Sequence, residues 1–314
     1  MRQRQLLCLL ITTLAMALTG CSKDSVEEGN YDIWTDGMVM MEVGDNYLYF
    51  VPTADGKGMM LTYDRTDLTY ERWVQMSGGS VDVDEGGSGQ KGLLTYQGAI
   101  EIPRQVNGLP VTAIDQYAFS GNLQLTSVVI PESVTDIGPE SFAVCSSLTR
   151  LTLPDGVTEI KAGTFCGRSV TEVNIPDKVR KIGHFAFLKN TQLTTAHIDP
   201  DHSELEEIGK SAFSGCTALA DFDMPRQVKE LGDMAFQNCT ALQSITLGEG
   251  LSVIGEKVFN GCKKLKSIYM MSSVPPTASD VISTSATIYI PKGSLAAYQQ
   301  APYWSEITNY VEEE

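Results

Sequence analysis

The sequence predicts a right-handed repeat solenoid, mostly β with short turn-helices. A parallel β-sheet lines its concave face, and a small β-rich N-terminal cap or domain precedes it. Three observations carry this. An apolar residue followed five positions later by phenylalanine recurs along the chain, and an apolar stripe with L-x-x-L-x-L spacing recurs with it. The 314 residues are 42% hydrophobic and 20% charged, the composition of a chain that buries a large core. With 23 basic against 39 acidic residues the net charge is −16, which argues against non-specific nucleic-acid binding and against docking on anionic lipid. Seven cysteines do not make a small disulfide scaffold. Outside the N-terminus no apolar run is long enough to cross a bilayer, which excludes a polytopic membrane protein.

The N-terminus reads as an address. Arg2 and Arg4 precede an apolar stretch from Leu6 to Leu18, too short for a membrane span and the right length for a signal peptide over residues 1–20. Its end, Leu18-Thr19-Gly20-Cys21, resembles the lipobox of bacterial lipoproteins. The resemblance implies that Cys21 becomes the first mature residue and carries diacylglycerol, with several acyl chains holding firmly where a single chain is marginal. A plain secretory signal with an incidental cysteine is the alternative. Residues 21–30, Ser22-Lys23-Asp24-Ser25-Val26-Glu27-Glu28-Gly29-Asn30 after the cysteine, are polar and charged, as a disordered tether is. They also look like the short acidic export signal of some Gram-negative surface lipoproteins, although Ser25 and Val26 interrupt the acids. Expected placement is the outer membrane with the protein facing the cell exterior; an ordinary periplasmic tether is the other reading.

Residues 31–97 hold aromatic and β-branched runs, Tyr47-Leu48-Tyr49-Phe50-Val51 and Met59-Met60-Leu61-Thr62-Tyr63, between Gly/Asp turns. They form a small β-rich unit, either a domain or a cap. From residue 98 the repeat begins. Ile114, Ile137, Ile160, Ile182, Ile208, Leu231 and Ile254 each precede, by five, Phe119, Phe142, Phe165, Phe187, Phe213, Phe236 and Phe259. The interval is 22 or 23 residues except for one of 26, where Asp199 to Glu207 carries an insertion. Leu125-Val128-Ile130, Leu148-Leu151-Leu153, Val170-Val173-Ile175, Leu193-Ala196-Ile198, Leu219-Phe222-Met224, Leu242-Ile245-Leu247 and Leu265-Ile268-Met270 supply the strand pattern. Such a period with L-x-x-L-x-L is the signature of a leucine-rich repeat, one short strand per unit.

One unit cannot stand alone, because six or so buried side chains at about 1.5–3 kcal/mol fall short of ordering its residues at about 1.5 kcal/mol each. Stacking supplies the rest. Pro131, Pro154, Pro176 and Pro225 mark the strand exit as a corner. Gly138, Gly183, Gly209, Gly232 and Gly255 mark the opposite turn, where positive φ is expected. Gly248 stands where a proline is due, and the third repeat is one residue short near Cys166. Repeats fill residues 98–285. Residues 286–314 form a cap: a strand Ile288-Tyr289-Ile290-Pro291, a short helix with Ser294 at its N-cap, and Tyr298 and Trp304 over the last rung.

Units such as Ile130-Pro131-Glu132-Ser133-Val134-Thr135-Asp136-Ile137-Gly138 and Ala212-Phe213-Ser214-Gly215-Cys216-Thr217-Ala218-Leu219 resemble the BspA-type leucine-rich repeat of bacterial surface proteins, over roughly residues 98 to 311. The resemblance implies a surface-anchored recognition protein rather than an enzyme.

Sites of chemistry are few. Gly87-Ser88-Gly89-Gln90-Lys91-Gly92 matches G-x-G-x-x-G, but Leu93-Leu94-Thr95-Tyr96 after it is strand-like, so a hairpin loop is expected instead of a dinucleotide site. Asp82-Val83-Asp84-Glu85-Gly86 lacks the order and distant glutamate of a calcium loop. Cys145, Cys216, Cys239 and Cys262 fall three residues after the repeat phenylalanine, where Asn122 and Asn190 stand in other units. Buried free thiols are expected there, with neither disulfides nor zinc. In His197-Ile198-Asp199-Pro200-Asp201-His202 the proline is expected to spread the side chains into a polar corner that holds no metal. No cofactor is expected.

Strand alternation turns the residues beside each middle apolar position to the concave face: Ser127/Val129, Arg150/Thr152, Glu172/Asn174, Thr195/His197, Asp221/Asp223, Ser244/Thr246, Ser267/Tyr269 and Thr287/Tyr289. Asp221 and Asp223 project about 7 Å apart, a spacing used in acid/base chemistry, yet an open sheet has no pocket to separate their roles. A hydrolase would need a closed cleft. The expected function is adhesin-like recognition of host-matrix or bacterial surface protein through Arg150, Glu172, His197, Asp221, Asp223, Tyr269 and Tyr289. Glycan capture is the alternative, for which Tyr269 and Tyr289 are the one aromatic platform on offer, and a periplasmic envelope scaffold is another.

Overall fold

The computed structural model describes residues 31–33, 38–62, 96–167, 170–280 and 285–313. The signal segment, Cys21, the tether and the loops at 82–92 lie outside the described residues. The chain from Tyr31 onward is a β-solenoid of about nine turns. Each turn contributes a strand of three to five residues to a front sheet and, in most turns, a two-residue strand to a back sheet. Pairing between turns in these two sheets is parallel, as in Arg150↔Glu172 in front and Ile182↔Ile208 behind, and in register apart from a shift between Gly98 and Ala99.

The phenylalanines form the spine. Phe119, Phe142, Phe165, Phe187, Phe213, Phe236 and Phe259 stack with ring centroids 5.0–6.2 Å apart, tilted by no more than 21° between neighbours. Tyr96 continues the column at 5.1 Å from Phe119. Such stacking adds about 0.5–1.5 kcal/mol per pair to the area buried. From Phe119 to Phe236 each phenylalanine N–H also bonds a carbonyl of the next turn, as Phe187 does to Ala212 and Phe213 to Ala235, at 2.8 Å.

The proline corners have one construction. The carbonyls of Pro131, Pro154, Pro176 and Pro225 accept the N–H three residues on, at 3.0–3.2 Å. Gly248 keeps that turn, its carbonyl taking the Leu251 N–H at 3.2 Å. A side chain at Gly248 would meet the Pro225 carbonyl at 2.5 Å, so glycine is required there by proximity.

The opposite turn departs from expectation. Gly138, Gly183, Gly209, Gly232 and Gly255 do not take positive φ. They are glycine because a Cβ would stand 2.4–2.9 Å from backbone of the preceding turn. Positive φ falls two residues before and two after each phenylalanine. Tyr117, Glu140, Gly163, Phe185, Ser211, Met234 and Lys257 occupy the first position, and Gly121, Val144, Gly167, Lys189, Gly215, Asn238 and Gly261 the second. Two left-handed residues per arm stop a helix from propagating, so the expected turn-helices are successive turns. Among the described residues helix is confined to Leu295–Gln300 and the 3-10 turn Trp304–Glu306, and no helix is long and apolar enough to cross a membrane.

The N-terminal strands Tyr31–Ile33, Val39–Val43, Asn46–Pro52 and Met59–Thr62 make an antiparallel meander whose last strand pairs, in parallel, with Leu109–Ile114 of the first turn. Val39, Leu48, Phe50 and Leu61 share one core with Phe119 and every later turn, so these strands close the stack. The Asn46 side chain accepts the Gln97 N–H at 2.8 Å and donates to its carbonyl at 3.1 Å, tying the meander to the segment entering the first turn.

At the other end Tyr298 and Trp304 are buried over the last turn, the Tyr298 hydroxyl donating to Ser272 O at 2.8 Å and Trp304 Nε1 to Pro276 O at 2.7 Å. Ser294 does sit at the helix N-cap, but its hydroxyl donates back to the Pro291 carbonyl. The cap is supplied from outside, Leu295 N–H bonding Glu312 Oε1 at 3.0 Å. Glu312 belongs to a further strand, Tyr310–Glu313, which adds to the front sheet beside Thr287–Pro291.

Candidate recognition surface

The front sheet is interrupted once. Strands Gly98–Glu101, Leu125–Val129, Arg150–Thr152, Glu172–Asn174 and Thr195–His197 form one half, and Asp221–Asp223, Ser244–Leu247, Ser267–Met270, Thr287–Pro291 and Tyr310–Glu313 the other. The back sheet runs on behind the break, Glu207↔Glu230 and Ile208↔Leu231 pairing normally. The strands on either side of the break differ at their middle position: Ala196, half-buried, in Thr195–His197, and Phe222, buried edge-on to Phe213 at 5.2 Å and Phe236 at 4.9 Å, in Asp221–Asp223.

The two halves differ in charge. The first carries Arg150 beside Glu172 in register, with His197 farther along, all exposed. In the second, Asp221 and Asp223 are the charged outward residues of the first four strands. Each aspartate is oriented by the next turn: Ser244 Oγ donates to Asp221 Oδ1 at 3.1 Å and Thr246 Oγ1 to Asp223 Oδ1 at 3.2 Å. Beyond them Tyr269 and Tyr289 stack at 4.7 Å and 18°. The register places Thr246 beside Tyr269 and Val311 beside Tyr289. The ring faces therefore look along the solenoid axis at neighbours, and their edges and hydroxyls look outward.

The sequence thus indicates which residues share a face, but not the interruption between Thr195–His197 and Asp221–Asp223, nor Val311. The run Tyr310-Val311 is the signal that would have found the last strand, since both residues favour strands.

Of the metal candidates, Pro200 does not spread the side chains as expected. Asp199 Oδ1 takes the N–H groups of Asp201 and His202, and His202 Nδ1 lies 3.0 Å from Asp199 Oδ2, a tight turn in which a proline is accommodated. Among the described residues no three His, Cys, Asp or Glu side chains converge as metal ligands do.

The lengthened repeat also carries a feature unseen in the sequence. Glu206 lies between Arg180 at 2.5 Å and Lys229 at 2.7 Å, linking three successive turns behind the front-sheet interruption. The three share the position two residues before the back-strand apolar residue, and that alternation of sign was the available signal. The Lys229 and Arg180 hydrogen bonds hold the Glu206 carboxyl down at about 2. A depressed carboxylate stabilises above its ordinary value and loses that contribution as pH falls through the folded one, here from about 4.3 toward about 2. A carboxyl NMR titration is expected to place Glu206 near the lower figure; titration in the ordinary range would refute the link. All three groups are exposed, so the expected effect on global stability is small.

The cysteines are structural. Cys145, Cys166, Cys216, Cys239 and Cys262 are free and buried. Cys145, Cys216, Cys239 and Cys262 donate to the carbonyl of the preceding turn's phenylalanine at 3.0–3.3 Å. Burial pushes Cys145 up to about 12 and Cys166 to about 11, leaving little thiolate. Asn190 makes the same donation to Phe165 O, and its Oδ1 also accepts the Val170 N–H at 3.1 Å. Val170 follows the shortened stretch of the third repeat, so asparagine stands where an amide faces the next turn and cysteine where only a carbonyl does. Asn190→Ala leaves both buried groups unpaired and is expected to cost about 2–4 kcal/mol in chemical denaturation, against about 1 kcal/mol for Cys239→Ala.

Leucine-rich-repeat solenoids are typically scaffolds for protein interaction, and no catalytic family is indicated for this chain. The model of the BspA type leucine rich repeat region matches six copies over residues 112–205 and 202–292, and the chain belongs to that family. Similar solved structures include a leucine-rich repeat protein of T. pallidum at 25% identity, covering 79% of this chain and 81% of that one with a TM-score of 0.43. One from Bacteroides ovatus is 22% identical over 79% and 75%, with a TM-score of 0.39. The pneumococcal vaccine antigen PcpA is 12% identical over 92% and 100%, with a TM-score of 0.44. No curated protein matches the chain.

Proposed function

We propose that this protein is a lipid-anchored recognition protein of the bacterial outer surface, adhesin-like, that binds host-matrix or bacterial surface protein through the front sheet. The observation that carries it is the contrast between core and face. All turns but the lengthened one, where Ala196 and Ile198 are only partly covered, bury an equivalent apolar set, while the outward residues of the front strands change from turn to turn: Arg150, Glu172, His197, Asp221, Tyr269. A scaffold held constant under a varying face suits selection for a partner. The lipobox-like Leu18-Thr19-Gly20-Cys21 supports an anchor at Cys21, and the acidic residues after it support export.

The test is a panel of immobilised host-matrix proteins and partner bacterial cells, probed with the chain from residue 22 onward. At least one partner is expected to bind, and front-sheet charge reversal, Arg150→Glu or Asp223→Lys, is expected to weaken it tenfold or more. Back-sheet Glu230→Lys is expected to leave it unchanged. Binding that ignores both front substitutions would remove this face from the account.

A further inference from the structure

The second half of the front sheet has three parts in line along the solenoid axis. At one end are the Asp221 and Asp223 carboxylates, each held by a hydroxyl on Oδ1 with Oδ2 left over. In the middle, Ser244, Thr246 and Ser267 make a floor of small side chains, half-buried between their taller neighbours. At the far end stand the stacked Tyr269 and Tyr289, with Val311 beyond them 43% exposed. We propose that this trough seats an extended, cationic segment of a partner protein. An arginine or lysine bridges the two aspartates, and an apolar or aromatic side chain three or four residues away rests against the tyrosine edges.

The spacing follows from the sheet. Adjacent parallel strands lie about 4.8 Å apart, so the tyrosines are about 10–14 Å from the aspartates. An extended chain at about 3.3 Å per residue covers that distance in three to four residues. The two carboxylates, about 7 Å apart along one strand, are within reach of a single guanidinium placed between them, and their orientation by Ser244 and Thr246 reduces the side-chain ordering that binding requires. Tyrosine edges and hydroxyls give apolar area with a hydrogen-bonding tip, the combination enriched at protein interfaces. No outward Lys or Arg on Asp221–Asp223, Ser244–Leu247, Ser267–Met270 or Thr287–Pro291 competes for the acids. The first half, with Arg150 beside Glu172, lacks this one-signed character.

This inference rests on the recognition reading and names the chemistry of its partner. It is tested by panning a displayed library of linear peptides on the chain from residue 22 onward, followed by fluorescence polarisation with an enriched synthetic peptide. Enriched sequences are expected to carry Arg or Lys followed or preceded, at three to four residues, by an aromatic or large aliphatic residue. Asp221→Asn with Asp223→Asn, which keeps the hydroxyl acceptors, and Tyr289→Ala are each expected to weaken binding at least tenfold. Ser267→Trp, which fills the floor, is a second route to the same loss should the tyrosine variant fold poorly. Added salt is expected to weaken the wild type and to act less on the double asparagine variant. No enrichment, enrichment without a cation, or binding indifferent to these substitutions would overturn the proposal. Partner binding that depends on Arg150 or Glu172 alone would do so while leaving the broader recognition reading in place.

Discussion

Phe213→Ala is expected to destabilise the protein by about 3–5 kcal/mol. Phe213 is fully buried, stacked between Phe187 at 5.1 Å and Phe236 at 5.3 Å, and struck edge-on by Phe222. Alanine there opens a cavity bounded by three rings whose backbones are fixed by hydrogen bonds to the turns on either side, so the site has little freedom to collapse. It also lies next to the front-sheet interruption, where fewer backbone bonds hold adjacent turns together. Denaturant unfolding is the measurement, and a second signature is expected: stability in a solenoid is shared between neighbours, so a weakened turn in the middle broadens the transition or splits it. A loss below about 1 kcal/mol with an unchanged transition would mean that the phenylalanine column is not the spine.

Trp304→Ala is the second large effect, about 3–5 kcal/mol, with a consequence in solution. Trp304 closes the last turn, its indole perpendicular to Tyr298 at 5.2 Å and its Nε1 bonded to Pro276 O. Removing it leaves a buried carbonyl unpaired and uncovers the end of a continuous apolar core, the surface that terminal caps exist to hide. The variant is therefore expected both to melt earlier and to self-associate in sedimentation or light scattering, whereas Trp304→Phe should remain monodisperse relative to wild type and lose less stability. A monodisperse alanine variant of wild-type stability would show that Tyr298 alone suffices as the lid.

Much of this architecture was legible in the sequence, because repetition multiplies weak signals. A lone apolar residue five before a phenylalanine predicts little. Seven in order, with proline after four of the strands and cysteine or asparagine three residues after six of the rings, leave one solution. What was not legible comes from contacts between turns. The glycines at 138, 183, 209, 232 and 255 look like positive-φ positions within one repeat, and only the close approach of the preceding turn shows that they are small for want of space. Tyr117, Phe185 and Ser211 adopt positive φ against their own preference, held there because their own N–H groups and those of the phenylalanines two residues on bond carbonyls of the next turn.

The candidate recognition surface divides in the same way. Strand alternation named its residues, and the structure exposes Arg150, Glu172, His197, Asp221 and Asp223 and stacks Tyr269 on Tyr289. The division of the face falls between Thr195–His197 and Asp221–Asp223, where the lengthened repeat lies, and no local motif announces it. Glu206 between Arg180 and Lys229 is likewise a property of three turns and of none alone.

The central claim is an anchored solenoid that shows its front sheet to the outside of the cell, and protease shaving of intact cells addresses it most directly. Cells expressing wild type are compared with cells expressing Cys21→Ala, with a periplasmic protein as the integrity control. The account predicts that wild-type protein is lost from intact cells while the control survives, and that Cys21→Ala no longer remains with the cell surface. Protection of the wild type until the outer membrane is broken would contradict the account and make the protein a scaffold within the envelope.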